Sequence, residues 1–408
     1  MTRGSFLSQK SVSGPKLAQV NLVRSRASDS AVFKIARTLA SGGYGVNLLI
    51  WNRSGRTTEE PNHQYTVYPF DFKAPVDKVE GVPFLPLFWL YEIIFLVKHK
   101  ARVYHACDFD TLFPALVAAR ITGAKLFYSI LDFYANNIPT DSLGRAGKLV
   151  RQTVEALENA CIGFTDVVAI ADDSRRAEIQ GARTKRLIVL YNSPEDLPKE
   201  EPIEPKRGPQ KLVVFYAGLL IKDVRGIDQM IEAIERVDDV TLVLAGSGPD
   251  ESYFRELAFE TNRLQFLGWI PRYQDVLREE MNSDVLFRFS DPKHPKTKYE
   301  SPNKLFEAMM CAKPIIVSDG GSMARIVKEE ACGVVVPFGD ITAIRQAIAK
   351  LRDDSELRLR LGNNGRRAYI HKYSGTLMRE RLLQAYGNLT SGMETSVLGE
   401  DKKSPDKG

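Results

Sequence analysis

Short apolar runs alternate along this chain with stretches whose apolar residues recur at helical spacing. That is the pattern of parallel strands buried on both faces, with amphipathic helices between them. In the first half the runs are Leu17 to Val23, Val46 to Trp51, Val103 to His105, Leu126 to Ile130, Val167 to Ile170 and Leu187 to Leu190. A helix predicted from Ala31 to Leu39 ends at Ser41-Gly42-Gly43, a suitable C-terminal stop, and completes a β-α-β unit with the strand after it. Another helix is expected over Arg145 to Cys161, and ADDSRRAEI starts a further one. The second half repeats the alternation. Its strands are Leu212 to Tyr216, Val240 to Ala245, Leu264 to Leu267, Val285 to Phe289, Ile315 to Val317 and Gly333 to Pro337. A helix is predicted over Ile227 to Val237, and long helices run from about Ile341 to Tyr386.

Between the halves, PEDLPKEEPIEPKRGPQK is rich in proline and charge without periodicity and reads as a linker. The expected organisation is a polar leader over 1–16, one α/β domain over 17–203, a second over 204–373, and a polar tail over 390–408 that should be disordered.

One stretch, VPFLPLFWLYEIIFLV from Val82 to Val97, is apolar throughout except for Glu92, and a basic flank of Lys98, His99, Lys100 and Arg102 follows it. It is shorter than a spanning helix requires. Two readings stay open: a core helix buried by the first sheet, or an interfacial patch over 82–102 resting on a membrane.

At 408 residues, two domains are the natural division. The net charge of +5 suits a phosphorylated ligand or an anionic membrane surface and is too diffuse to argue for nucleic acid. Cys107, Cys161, Cys311 and Cys332 have no paired spacing, which disfavours zinc and fits reduced core cysteines. The start of the chain shows no apolar core of signal-peptide length, so a cytoplasmic protein is expected. The loop after the first strand lacks the glycine fingerprint of a dinucleotide site, which disfavours a nicotinamide or flavin cofactor.

The candidate chemistry gathers in the second half. From Ser301 to Ser322 the chain reads SPNKLFEAMMCAKPIIVSDGGS: a helix with Leu305, Phe306, Met309 and Met310 on its buried face, a strand, and a glycine turn opening another helix. Glu307 lies on that otherwise apolar helix. It either pairs with Lys304 at i, i+3 or, partly buried, takes the hydroxyls of a ligand as its polar partners. Three glycine-bearing turns follow strand ends: Gly218, Gly246 with Gly248, and Gly320 with Gly321 before Ser322. Such turns let backbone approach a ligand, and a helix N-terminus favours phosphate oxygens. Lys222 and Arg225 lie in one loop, with Arg225 just before a helix start. A cation there is disfavoured unless an anion sits beside it, although two solvated surface charges are the plain alternative. In the first half, His105 and Asp108 should lie at a strand end. The Asp108-Phe109-Asp110 triplet is expected to cap a helix, with metal binding as the lesser reading.

These segments resemble the group-one glycosyltransferases, the retaining nucleotide-sugar family of the GT-B fold. The resemblance rests on Ala217 to Ile227, VLAGSGP from Val243, FLGWIP from Phe266, PNKLFEAMMCAKPIIVSDGGS and GVVVPFGD from Gly333. It implies two Rossmann-like domains with parallel sheets facing a central cleft, a donor site in the C-terminal domain, an acceptor site in the N-terminal one, and a helix over 374–389 crossing back. Carried over position by position, Glu307 matches the glutamate that holds the donor ribose. Arg225 matches the basic residue at the diphosphate, and Gly320 to Ser322 match the turn before a phosphate-facing helix. Lys304, Gly218, Gly246 and Gly248 belong with the donor site. Three positions depart from the family pattern. Leu219 replaces a common arginine, leaving Lys222 to supply the charge. Tyr299, beside Glu300, replaces a second glutamate. Cys107 replaces a second histidine, leaving His105 as the candidate near the sugar.

The expected activity is transfer of a sugar from a nucleotide diphosphate donor to a glycan or lipid-linked hydroxyl acceptor, with no metal or other cofactor. The partners expected are that donor, that acceptor and, through 82–102, the inner face of a membrane; nucleic acid is not among them. The rivals are a nucleotide-sugar epimerase of similar fold and a non-catalytic nucleotide-sugar-binding scaffold.

Overall fold

The computed structural model describes residues 18–26, 30–55, 64–76, 79–138, 140–196, 211–222, 225–293, 297–299 and 303–391. The leader over 1–16, most of the linker, Glu300 and nearly all of the tail lie outside them. Two units emerge, each built on one sheet. The first takes residues 1–169, 181–188 and 382–408; the second takes 170–180 and 189–381. The division therefore falls at Val189 and not near residue 203. The segment 170–180 joins the second unit, and the last helix, Gly375–Thr390, is divided at Leu382.

The first sheet contains β1 (Gln19–Arg24), β2 (Gly45–Trp51), β3 (Thr66–Phe70), β4 (Val103–Cys107), β5 (Lys125–Ile130), β6 (Val167–Ile170) and β7 (Leu187–Val189) in the order β3-β2-β1-β4-β5-β6-β7. The second contains β8 (Leu212–Leu219), β9 (Val240–Ser247), β10 (Leu264–Gly268), β11 (Val285–Arg288), β12 (Ile315–Ser318) and β13 (Gly333–Val336) in the order β10-β9-β8-β11-β12-β13. Both orders reverse direction once, between β1 and β4 and between β8 and β11. In doubly wound sheets, ligands bind at the carboxyl ends of strands flanking such a reversal. Alternate residues of β8 explain its burial on both faces. Val214 and Tyr216 pack with the helices Ile227–Glu235 and Ile341–Asp353, while Val213 and Phe215 pack with Val243 on the other face.

Two elements differ from the sequence reading. Strand β3 was not expected, because its central Tyr68-Pro69 breaks the apolar run at a sheet edge, where proline is tolerated. Asp173–Ile179 forms the helix expected from ADDSRRAEI as a 3-10 and not an α-helix, capped by the Asp172 carboxylate accepting from the Ser174 N–H at 2.8 Å.

In the first unit the apolar stretch forms the helix Leu85–Lys98, with one face buried as the core-helix reading expects. Leu85, Phe88, Phe95 and Leu96 are buried, whereas Leu87 (44% exposed), Leu90 (57%) and Ile94 (56%) face outward. By length and composition the run Glu80–Lys98 could cross a membrane, yet one face of it packs into the protein. Glu92 lies on that inner face, fully buried, and neither carboxyl oxygen has a hydrogen-bond partner among the described residues. Burial, with Asp110 adding, pushes its pKa well above the ordinary 4.5.

A carboxyl that stays protonated in the fold but ionises in the unfolded chain lowers stability progressively as pH rises above its unfolded pKa. Glu92→Met should therefore stabilise the protein more at about pH 8 than at about pH 5, by roughly 1.4 kcal/mol per pH unit until the native pKa is reached. Urea unfolding at the two pH values measures this. An equal gain at both would show that Glu92 ionises in the native state.

Candidate active site

Glu307 sits one turn into the helix Asn303–Met310, which the chain enters from the loop after β11, at the carboxyl edge of the sheet. The hydrophobic spacing of that helix turns Leu305, Phe306, Met309 and Met310 into the core and carries Glu307 with them, leaving it 2% exposed. Its partners come from within the protein. Lys304 Nζ donates to Oε2 at 2.6 Å, and Tyr273 Oη donates to Oε1 at 2.8 Å. Lys304 also donates to Glu280 Oε1 at 3.0 Å, and Glu280 is fully buried. Burial, helped by the nearby Glu307 and opposed by Lys304, pushes the Glu280 carboxyl up to about 8. Burial works against the Lys304 ammonium, but its two carboxylate neighbours hold its pKa above the ordinary lysine value. The pairing of Lys304 with Glu307 seen in the i, i+3 spacing is thus real. It leaves the Glu307 carboxylate acceptor capacity beyond these bonds, because each carboxylate oxygen carries two lone pairs.

Tyr273 and Glu280 escaped the sequence reading. Together with buried Leu277 they mark an i, i+4, i+7 stripe on the helix Tyr273–Asn282, so a glutamate at a core position was the available signal. Tyr273 opens that helix just beyond β10, again at the carboxyl edge.

The glycine turns have a tighter reason than ligand approach. Gly218 and Gly246 are register partners on β8 and β9, and a Cβ on Gly246, whose φ is +132°, would lie 1.9 Å from the Gly218 carbonyl oxygen. A Cβ on Gly248 would lie 2.2 Å from the Leu220 oxygen. The loop after β11 joins the remaining turns. Phe289 covers Gly226 (φ +62°), Pro292 covers Gly320 (φ +87°), and the Thr297 carbonyl lies against Gly321. That one loop therefore touches both the Arg225-Gly226 turn and the Gly320-Gly321 turn. Gly321 is the N-cap of the helix Ser322–Glu330 and offers no side-chain cap, and Ser322 is buried in its first turn. Lys222 is exposed, with its ammonium 4.3 Å from the centre of the Tyr253 ring and its backbone N–H held by Asp250 at 2.7 Å. Arg225 is half-buried beside the N-terminus of Ile227–Glu235. Of the departures, Leu219 is exposed at the end of β8, Tyr299 is half-buried under the Lys298 ammonium, and Cys107 is buried.

The first unit has its own polar cluster at the β1–β4 reversal. Arg24 at the end of β1 forms an ion pair with Asp108, whose other oxygen accepts from the Leu131 and Asp132 N–H groups at 2.8 and 3.0 Å. Asp108 occupies an N-cap position but makes no side-chain cap, and Asp110 accepts from the Ser25 hydroxyl. The triplet thus organises neighbouring loops and does not cap its helix as expected. Among the described residues, no group of three or more His, Cys, Asp and Glu side chains converges as a metal site would require.

His105 lies in the interior of this unit, with Nδ1 against Tyr386 Oη at 2.7 Å and Nε2 against Ser129 Oγ at 2.8 Å. Burial pushes its pKa down to about 3, so the ring is neutral at physiological pH. With both nitrogens occupied and no solvent access, it cannot reach a sugar in this geometry. The role expected for it there gives way to a structural one.

Residues 198–368 match the family described as glycosyl transferases group 1. An uncharacterized glycosyltransferase of Methanocaldococcus jannaschii is 22% identical over 316 residues, covering 70% of this chain and 75% of the relative. The phosphatidyl-myo-inositol mannosyltransferase of Mycobacterium leprae is 24% identical over 197 residues, covering 45% of this chain and 49% of the relative. Among solved structures, Anabaena HepE in complex with UDP-glucose superposes with a TM-score of 0.64 at 15% identity, covering 91% of this chain and all of HepE, and so shares the two-sheet GT-B fold.

Removing the Lys304 ammonium would leave Glu307 and Glu280 buried without the cation they share. Lys304→Met should destabilise the protein by about 3–5 kcal/mol. The loss should be smaller when Glu280→Gln is already present, because the remaining charge conflict is then relieved. A double-mutant cycle read by urea unfolding measures the coupling, and additive losses would separate the two residues.

Proposed function

We propose that this chain, a group 1 glycosyltransferase through its residues 198–368, moves a sugar from a nucleotide diphosphate sugar to a hydroxyl acceptor and retains the anomeric configuration. The observation that carries the donor part is the Glu307 carboxylate, fixed by Lys304 and Tyr273 at the carboxyl edge of the second sheet with acceptor capacity left over for ribose hydroxyls. The UDP-glucose bound to HepE supports the donor class. The diphosphate lies at the uncapped N-terminus of Ser322–Glu330, reached through the Gly320-Gly321 turn, with Arg225 and Lys222 supplying charge and Gly218, Gly246 and Gly248 shaping the turns beside it.

In the transfer, the bond between the anomeric carbon and the leaving phosphate oxygen breaks while the acceptor oxygen bonds to that carbon from the same face. The acceptor proton passes to the departing phosphate. The negative charge that develops on the diphosphate is met by Arg225, Lys222 and backbone N–H groups already in position, so no side chain has to act as a nucleophile. No role at the sugar is assigned to His105.

The acceptor is a lipid-linked or surface glycan precursor. The M. leprae relative, named for transfer to a phosphatidylinositol lipid, supports that class. The outward-facing Leu87, Leu90 and Ile94 with the basic flank after them support peripheral membrane contact through 82–102. On this reading the enzyme works in the cytoplasm against the inner face of a membrane.

A thermal-shift screen across nucleotide sugars should find a donor that raises the unfolding temperature, since a ligand that binds only the folded state stabilises it. With that donor, Arg225→Ala should lower transfer by about 10²–10³-fold. Glu307→Ala should weaken donor binding and abolish the thermal shift. Transfer and donor binding unchanged in both variants would remove the proposed donor site.

A further inference from the structure

Among the described residues, twelve of the nineteen exposed large hydrophobic side chains lie between Val76 and Phe164, which concentrates them in the first unit. Most sit on three helices, Leu85–Lys98, Phe109–Thr122 and Thr140–Ile162, with Phe164 just after the last. The strand order explains why these helices are neighbours. The connections β3 to β4, β4 to β5 and β5 to β6 all advance in one direction across the sheet, and right-handed crossovers then put their helices on one face.

The exposed residues follow helical spacing within each element and join across elements. Leu87, Leu90 and Ile94 make one stripe. Trp89, on the same helix, meets the Phe113 ring at 5.8 Å, and Phe113 begins a second stripe that runs to Ile121. At the end of that stripe the Arg120 guanidinium lies 5.0 Å from the centre of the Phe164 ring, beyond the helix that exposes Leu149 (66%) and Leu157 (53%).

Charge on the three helices is sorted by sign. Among the described side chains, the exposed charged residues are Lys98, Arg120, Arg145 and Lys148, all basic. The acidic residues with described side chains turn inward: Glu92, Asp110 and Glu158 are buried, and Glu155 is half-buried. Tyr128 donates to the buried Glu158 at 2.7 Å, and burial pushes the Glu92 carboxyl toward its neutral form, so both acids lie beneath the surface and not on it.

We infer that this three-helix face is a docking surface for an anionic lipid bilayer, with Leu149, Leu157 and Phe164 entering the interface beside Leu90 and Ile94. The inference rests on the proposed membrane contact through 82–102 and widens it from one helix to a platform. Exposed apolar side chains interleaved with Lys98, Arg120, Arg145 and Lys148 suit the boundary between anionic headgroups and acyl chains, where burial and charge attraction add.

The test is co-sedimentation of the full chain with vesicles of phosphatidylcholine alone and of phosphatidylcholine mixed with phosphatidylglycerol. Binding is expected to the mixed vesicles and to weaken with added salt. Leu149→Ser, Leu157→Ser and Phe164→Ser should each lower the partition constant about tenfold, since each removes one large apolar side chain from the interface. Their unfolding temperatures and the thermal shift given by the donor should remain those of the unaltered protein. If these variants bind normally while Leu90→Ser and Ile94→Ser do not, the platform is overturned and the contact through 82–102 stands. If the unaltered protein does not bind, both are overturned while the donor site is untouched. If sedimentation velocity finds a dimer that the same three variants dissociate, a second copy of the chain covers this face and the lipid assignment is overturned.

Discussion

The ammonium of Lys304 reaches Glu280 on one side and Glu307 on the other, and it is the cation that offsets the burial of these two acids. Much of the C-terminal unit's candidate site depends on this arrangement. The helix carrying Glu307 is apolar on its buried face, so a free acid there would swing toward solvent or take up a proton. Held by Lys304 and Tyr273, it stays fixed at the sheet edge in one orientation. A fixed acceptor needs no reorganisation when a hydroxyl arrives, which is why such groups discriminate between ligands that differ by one hydroxyl.

The glycine turns add a second constraint of a different kind. Gly246 and Gly248 are packed against the Gly218 and Leu220 carbonyls at distances that exclude any side chain, which holds the ends of β8 and β9 together on one side of the β8–β11 reversal. Main-chain N–H groups at such turns favour oxyanions over apolar ligands.

Most of the fold was legible because fully buried strands leave apolar runs that few other structures explain, and the runs Val240 to Ala245 and Ile315 to Val317 fall inside observed strands. Edge strand β3 was hidden because an edge needs no continuous apolar run. The position of Glu307 on its helix was legible, and so was its partner Lys304, since both follow from helical spacing. Glu280 was not, because its partner lies 24 residues away in sequence and only the folded helices bring them together. His105 misled for the opposite reason. A histidine at the end of a strand looks available in sequence, and only the packing of Tyr386 and Ser129 around it shows that it is enclosed.

That enclosure has a consequence for how the molecule is made. Tyr386 is fully buried against His105 and Phe127, and Leu383 packs on Gly42, so the first unit takes part of its core from the end of the chain. During translation the first unit must wait, with this part of its interior open, until the ribosome has passed residue 386, by which time all of the second unit has been synthesised. The second unit, whose residues end at 381, is therefore the one able to complete its core first.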